Sequence, residues 1–127
     1  MIKIKSLYQP LEKGDGYRIL IDNTSPPNVS NETTQLDLWL KEIAPSKNLR
    51  KWFANDHNRW LEYKQKYLEE LKNKKTLITL IKDIEKKKGT VTLLYTAKDE
   101  KYNNAVVLRS KLQGYKTIST TISRIHG

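Results

Sequence analysis

The stretch Thr90-Val91-Thr92-Leu93-Leu94-Tyr95 decides the fold, together with the polar run Thr96 to Tyr102 and the segment Asn103 to Leu112 behind it. Its first six residues carry no charge and are rich in β-branched and apolar side chains, as in a strand covered on both faces. Behind the polar run a helix is expected from about Asn103 to Leu112, which Gly114 is expected to terminate. Strand, loop and helix in that order form a crossover unit, and such units build parallel sheets.

Upstream, Leu77, Leu80, Ile81 and Ile84 form a helical stripe. Lys86-Lys87-Lys88 suits the negative end of that helix dipole, and Gly89 suits the position just past its end. Trp60, Tyr63, Tyr67, Leu68 and Leu71 share one face of a helix expected over 58–73, with Asp56 as its cap. A shorter helix is expected over 47–54, capped by Ser46 and presenting Leu49, Trp52 and Phe53. Leu36, Trp39, Leu40 and Ile43 stand at i, i+3, i+4 and i+7, which predicts a helix over 32–43, capped by Asn31 and ended by Pro45. Pro26-Pro27 marks 23–31 as a loop. Tyr17 to Asp22 reads as an interior strand because Ile19, Leu20 and Ile21 are consecutive. Ile2 and Ile4 alternate with Lys3 and Lys5, as in a strand near an edge with one polar face. The expected fold is α/β: a single three-layer domain over 1–114, with a small, mainly parallel sheet and helices packed on it. Residues 115–127 form a C-terminal tail or an edge strand.

The chain has 127 residues, no cysteine, and 24 Lys plus Arg against 14 Asp plus Glu, for a formal charge of +10. The missing cysteine excludes disulfides, thiol nucleophiles and thiolate metal centres. No run approaches the ~20 apolar residues of a membrane span, and the N-terminus lacks a signal-peptide pattern; the expected compartment is the cytoplasm. The positive charge raises a nucleic-acid reading. However, 19 of the basic residues are Lys and only 5 are Arg, and Arg is the residue that clamps phosphate and guanine edges. Lys64, Lys66, Lys72, Lys82 and Lys86 fall on polar helix faces, so a solvated surface is favoured and nucleic acid is not.

His57 and His126 are the only histidines and stand far apart, so no metal site is expected. A pairing of His57 with Asp56 reads as local capping. Gly14-Asp15-Gly16 precedes a strand rather than a helix, so it is no dinucleotide fingerprint, and no cofactor is expected. In open α/β sheets ligands bind beyond the carboxyl ends of the strands. Here those ends are Asp22 and Tyr95, with Lys98, Asp99, Asn103 and Asn104 following. In this reading Arg18 and Lys98 bind an anionic group, Asp22 accepts a proton or orients the ligand, and Asn103 with the helix start donates hydrogen bonds. Asp22 is the catalytic candidate if the site is enzymatic at all.

Three ordered blocks resemble a known family. Asp15-Gly16-Tyr17-Arg18-Ile19-Leu20-Ile21-Asp22 resembles the DGYR(I/V)LVD opening of YeaO-like proteins, the family called domain of unknown function 488. Leu36-Asp37 with Trp39, then Ala44-Pro45-Ser46 with Leu49-Arg50-Lys51-Trp52-Phe53, is similar to its next block, and Thr92 to Asp99 followed by Asn103 and Ala105 to Leu108 is similar to its third. The resemblance implies a small α/β domain with no established reaction. Arg18, Asp22, Arg50, Tyr95, Lys98 and Asn103 are the polar positions that coincide with family motifs and form the candidate ligand-binding set. One departure follows Asp22: the family typically continues Arg-Leu-Trp-Pro-Arg-Gly, whereas this chain reads Asn23-Thr24-Ser25-Pro26-Pro27-Asn28. Three functions are therefore carried forward: a strand-end site for a small anionic ligand, a nucleic-acid or acidic-partner module using the Lys surface, and a protein-interaction module without a ligand.

Overall fold

Four strands run parallel in the order β1-β4-β2-β3: β1 is Ile2–Ser6, β2 Tyr17–Leu20, β3 Leu38–Trp39 and β4 Val91–Tyr95. The computed structural model describes residues 1–24 and 34–114. The expected cap at Asn31, the greater part of the Pro26-Pro27 loop and the segment 115–127 lie outside them. Helices α1 (Lys47–Phe53), α2 (Trp60–Leu71) and α3 (Lys75–Lys88) precede β4, and α4 runs from 104 through 114 after it. Gly114 is itself helical, so it does not end α4 within the described residues.

Register explains the layers. Ile4, Leu93, Ile19 and Leu38 stand side by side, as do Lys3, Thr92 and Arg18 in the adjacent row. Because side chains alternate across a sheet, the first row faces the helices and the second faces away. The helix side joins Ile19, Val91 and Leu93 to Leu49, Phe53, Tyr67, Leu71, Ile81, Leu108 and Leu112 in one core. Each such side chain contributes about 2 kcal/mol on burial, and this core holds all four described helices against one sheet face. The opposite face has a small cluster, Leu7, Leu20 and Leu94, with Leu36 and Trp39 against it, and a polar network. The three layers are thus helices, sheet and an irregular cover, and the sheet is parallel throughout among the described residues.

β1 lies at the sheet edge with one polar face, as expected, but that face is partly covered by this network. Lys5 is buried, and its ammonium donates to the Pro10 carbonyl (2.6 Å), Glu12 (3.0 Å) and Asp15 (3.1 Å). Gly16 makes the turn that sets Asp15 there: its φ is +64°, and a Cβ at this position would stand 2.4 Å from the Thr90 carbonyl oxygen.

In the described part of the range 32–43, where a helix is expected, only Thr34 is helical. Leu38–Trp39 instead extends β2 as an edge strand, and Lys41–Ile43 is a single 3-10 turn. The Asp37 carboxylate accepts the Arg18 N–H at 2.9 Å, the Leu40 N–H donates to the Leu20 carbonyl at 2.9 Å, and Gln35 has φ +45°. The helical spacing arises because Leu38, Trp39 and Leu40 are successive apolar residues that send side chains to both faces of the sheet, a pattern that periodicity cannot separate from a stripe. In α3, Ile78 is buried and Leu80 exposed, so the buried face is turned one position from the expected stripe. No helix among the described residues is long and apolar enough to cross a membrane.

Candidate functional site

A cleft of about 240 Å³ opens beyond the carboxyl ends of the neighbouring strands β2 and β4. Asp22, Asn23 and Thr24 line it from the end of β2, Thr96 and Ala97 from the end of β4. Asn103 and Asn104 line it at the start of α4, Arg50 and Phe53 from α1, and Tyr63 from α2.

Asp22 ties the strand ends together. One carboxylate oxygen accepts the Thr96 backbone N–H (2.7 Å) and the Thr96 hydroxyl (2.6 Å), and the other accepts the Asn104 amide at 2.8 Å. Its own carbonyl accepts the Trp39 indole N–H at 2.6 Å. Asn103 is the N-cap of α4: its side-chain oxygen accepts the Val106 N–H (3.1 Å) while its amide donates to the Asp99 carbonyl (2.8 Å).

Arg50 reaches the cleft because α1 is fixed at its start. Ser46 caps it, accepting the Leu49 N–H at 3.2 Å, and the Ser46 N–H and hydroxyl both donate to the Glu70 carboxylate of α2, at 2.8 and 2.6 Å. One turn later stands Arg50, whose Nε is buried without a hydrogen-bond partner. Tyr63 stacks on Phe53 with ring centroids 4.2 Å apart. Burial pushes the Tyr63 phenol well above its ordinary range, the Asp22 and Glu70 carboxylates add to the rise, and the Arg50 charge opposes it. Tyr63 is therefore a neutral phenol at physiological pH.

The rim is pinned by His57. The sequence suggested a local pairing with Asp56, but Asp56 caps the 57–59 turn by accepting the Asn58 N–H at 3.0 Å. His57 Nε2 instead lies 2.7 Å from Asp99 and its ring packs on Tyr102 at 4.4 Å. The Lys101 and Tyr102 backbone N–H groups, followed by His57, hold the Asp99 carboxyl below its ordinary value.

Of the six candidate residues, the fold brings Asp22, Arg50 and Asn103 together at the cleft. Arg18 lies on the opposite sheet face, 2% exposed, where it pairs with Asp15 and donates to the Thr34 carbonyl at 2.8 and 3.0 Å. A strand residue four positions before Asp22 cannot reach past the strand end. Tyr95 is buried and is not a cleft residue. Lys98 is exposed and also stands outside the cleft lining. Residues the sequence did not single out are Asn23, Thr96, Tyr63 and Tyr102. The first two follow strand ends directly and could have been found from that position. The tyrosines share the helical or loop spacing of ordinary packing residues and give no separate signal.

Residues 1–120 match the family described as the inactive DUF488-N3 subclade. The chain belongs to this family. It is similar to the uncharacterised protein YeaO of Escherichia coli K12, 39% identical over 112 residues, 88% of this chain and 96% of that protein. It is also similar to uncharacterised proteins of Mycobacterium bovis and Mycobacterium tuberculosis H37Rv, each 28% identical over 113 residues, 89% of this chain and 94% of theirs. No solved structure matches the chain. Membership agrees with the resemblance carried by the three sequence blocks, and the family description assigns no reaction.

Proposed function

We propose that the cleft binds a small anionic ligand and that the chain works as a binding module rather than a catalyst. The observation that carries this reading is Arg50: a permanently charged guanidinium on the cleft wall whose Nε–H is buried and meets no acceptor. An unmet buried donor of this kind costs more than a solvated one, and an anion recovers that cost. Asp22 supports the non-catalytic part. A carboxylate has about four acceptor sites, and three are taken by Thr96 and Asn104, so Asp22 is a positioning residue rather than a free proton acceptor. The description of the family as inactive points the same way.

The test is a titration of ¹⁵N-labelled protein with sodium acetate and with inorganic phosphate at low ionic strength, following the Arg50 Nε–H signal. The expected result is a saturable shift of that signal with the backbone signals of Asn23 and Thr96, lost in Arg50→Met. If neither anion moves Arg50, or if Asn23 and Thr96 respond equally in Arg50→Met, the reading fails. A duplex oligonucleotide added as a third probe separates the Lys-surface alternative, whose binding would fall steeply with salt and leave Arg50 unmoved.

A further inference from the structure

Among the described residues, two buried side-chain polar atoms lack a hydrogen-bond partner: Arg50 Nε and Asn23 Oδ1. Both residues line the same cleft. Buried polar atoms in folded proteins are nearly all paired, so two orphans among the residues of one cleft describe what a ligand there could supply. They are of opposite sense, since Nε–H is a charged donor and Oδ1 an acceptor. A ligand that satisfies both must present an acceptor to Arg50 and a donor to Asn23.

From this pair we infer that the occupant is a small carboxylate carrying a hydroxyl or an ammonium group close to its carboxylate, that is, a hydroxy acid or an amino acid. The inference rests on the anion-binding reading of the cleft and adds the ligand's second functional group. Four further features fit it. The planar carboxylate matches a guanidinium in two-point contact. Asp22, next in the chain to Asn23, puts a negative charge on the same cleft, which favours a donor on that side. The cleft, about 240 Å³, is roomy enough for a small acid. Pro45, Phe53 and Ala97 supply apolar wall for a short carbon skeleton. Sulfate satisfies Arg50 but turns a further acceptor toward Asn23 Oδ1.

The experiment compares matched probes on the full-length ¹⁵N-labelled chain: glycolate and glycine against acetate, and 3-hydroxypropionate and β-alanine against propionate, each followed at Arg50 Nε–H and at the Asn23 side-chain amide. The expected result is that at least one donor-bearing acid binds about tenfold more tightly than its plain counterpart, the worth of one recovered hydrogen bond. The hydroxyl and ammonium arms identify which donor the site takes. Asn23→Ala removes the gain, bringing the donor-bearing acid to the affinity of its plain counterpart in that variant, with the backbone spectrum checking that it folds. If all the acids bind alike while Arg50 still responds, the ligand class is wrong and the anion site stands. If the gain persists in Asn23→Ala, the assignment of Asn23 is overturned. If no probe moves Arg50, the anion-binding reading falls and this inference with it.

Discussion

Replacing Asp22 with alanine separates its two conceivable roles, because a bolt and a free base differ in what their removal does to stability. The carboxylate holds three donors, at 2.6, 2.7 and 2.8 Å. Hydrogen bonds to a charged group are worth about 1.5–3 kcal/mol each, which would sum to a large figure if the three were buried and independent. They are neither. Asp22 is half-buried, so the Thr96 donors can rehydrate, and the Asn104 amide retains a second acceptor in the Ile21 carbonyl at 3.4 Å. About 1 kcal/mol per bond is the appropriate scale, giving a loss of about 3 kcal/mol in all. For a chain of this length, that corresponds to a fall in melting temperature of about 12 °C. Urea unfolding followed by circular dichroism, with a thermal scan beside it, measures both. A double-mutant cycle with Asn104→Ala should return a coupling of about 1 kcal/mol, since these side chains meet directly. A group kept free for proton transfer would be a stability cost to the fold rather than a support. A destabilisation of Asp22→Ala below about 1 kcal/mol, or no coupling to Asn104, would therefore refute the bolt and return Asp22 to the list of proton acceptors.

Two other perturbations test the frame that positions the cleft. Gly16→Ala should cost about 3 kcal/mol in urea unfolding, combining ~1–3 kcal/mol for a backbone conformation reserved to glycine with the contact its Cβ would make on the Thr90 carbonyl; a loss under about 1 kcal/mol would mean that the turn shifts freely. Stability should also fall on acidification through Asp15. Burial alone would raise this carboxyl, but the Glu12 N–H and then Lys5 and Arg18 more than offset it, and the group sits below its ordinary 3.8. A carboxyl depressed in the folded state stabilises above its unfolded value and loses that contribution as pH falls through the folded one. The urea midpoint should therefore hold from pH 7 to 5 and drop toward pH 3, and Asp15→Asn should remove part of that slope; an equal slope in the variant would assign acid sensitivity to other groups.

The parts of the fold legible in the sequence are those in which local preference and tertiary packing agree. Ser46 caps α1 as expected, and Asp56 caps the 57–59 turn that leads into α2 rather than α2 itself, because short polar side chains bind free N–H groups wherever a turn begins. Val91–Tyr95 is buried along its whole length, as a run of uncharged, mostly apolar residues requires in a central parallel strand. Residues 34–43 were not legible because their pairing partner lies about twenty positions away. A two-residue strand held by Leu20 and Arg18 backbone groups has no periodicity of its own, and its apolar residues match a helical template by density alone. The position of the cleft was legible for a topological reason: neighbouring parallel strands both end there, and their loops must diverge. Its polar occupants at the strand ends follow from that, whereas Tyr63 is contributed by a helix whose packing decides its direction.

Arg18 and Arg50 are equivalent in the sequence, each an arginine inside a family-like block, yet they end in opposite circumstances. Asp15 stands three residues before Arg18 on a turn set by Gly16, so Arg18 is neutralised by the turn that precedes its own strand. Arg50 is delivered by a helix whose start is tied to Glu70, and that carboxylate is already engaged by Ser46. In a chain with 24 basic and 14 acidic residues, cations outnumber their partners, so a lone positive charge carries little information. Lys98 is exposed, and water serves it. The Arg50 Nε is different because it is buried and has no hydrogen-bond partner. Burial without a partner, rather than charge, is what marks the site, and it is a property of packing that no residue count can supply. The same distinction removes most of the weight from the +10 charge: lysines on helix surfaces are solvated wherever they stand, while the Arg50 Nε is buried and meets no acceptor.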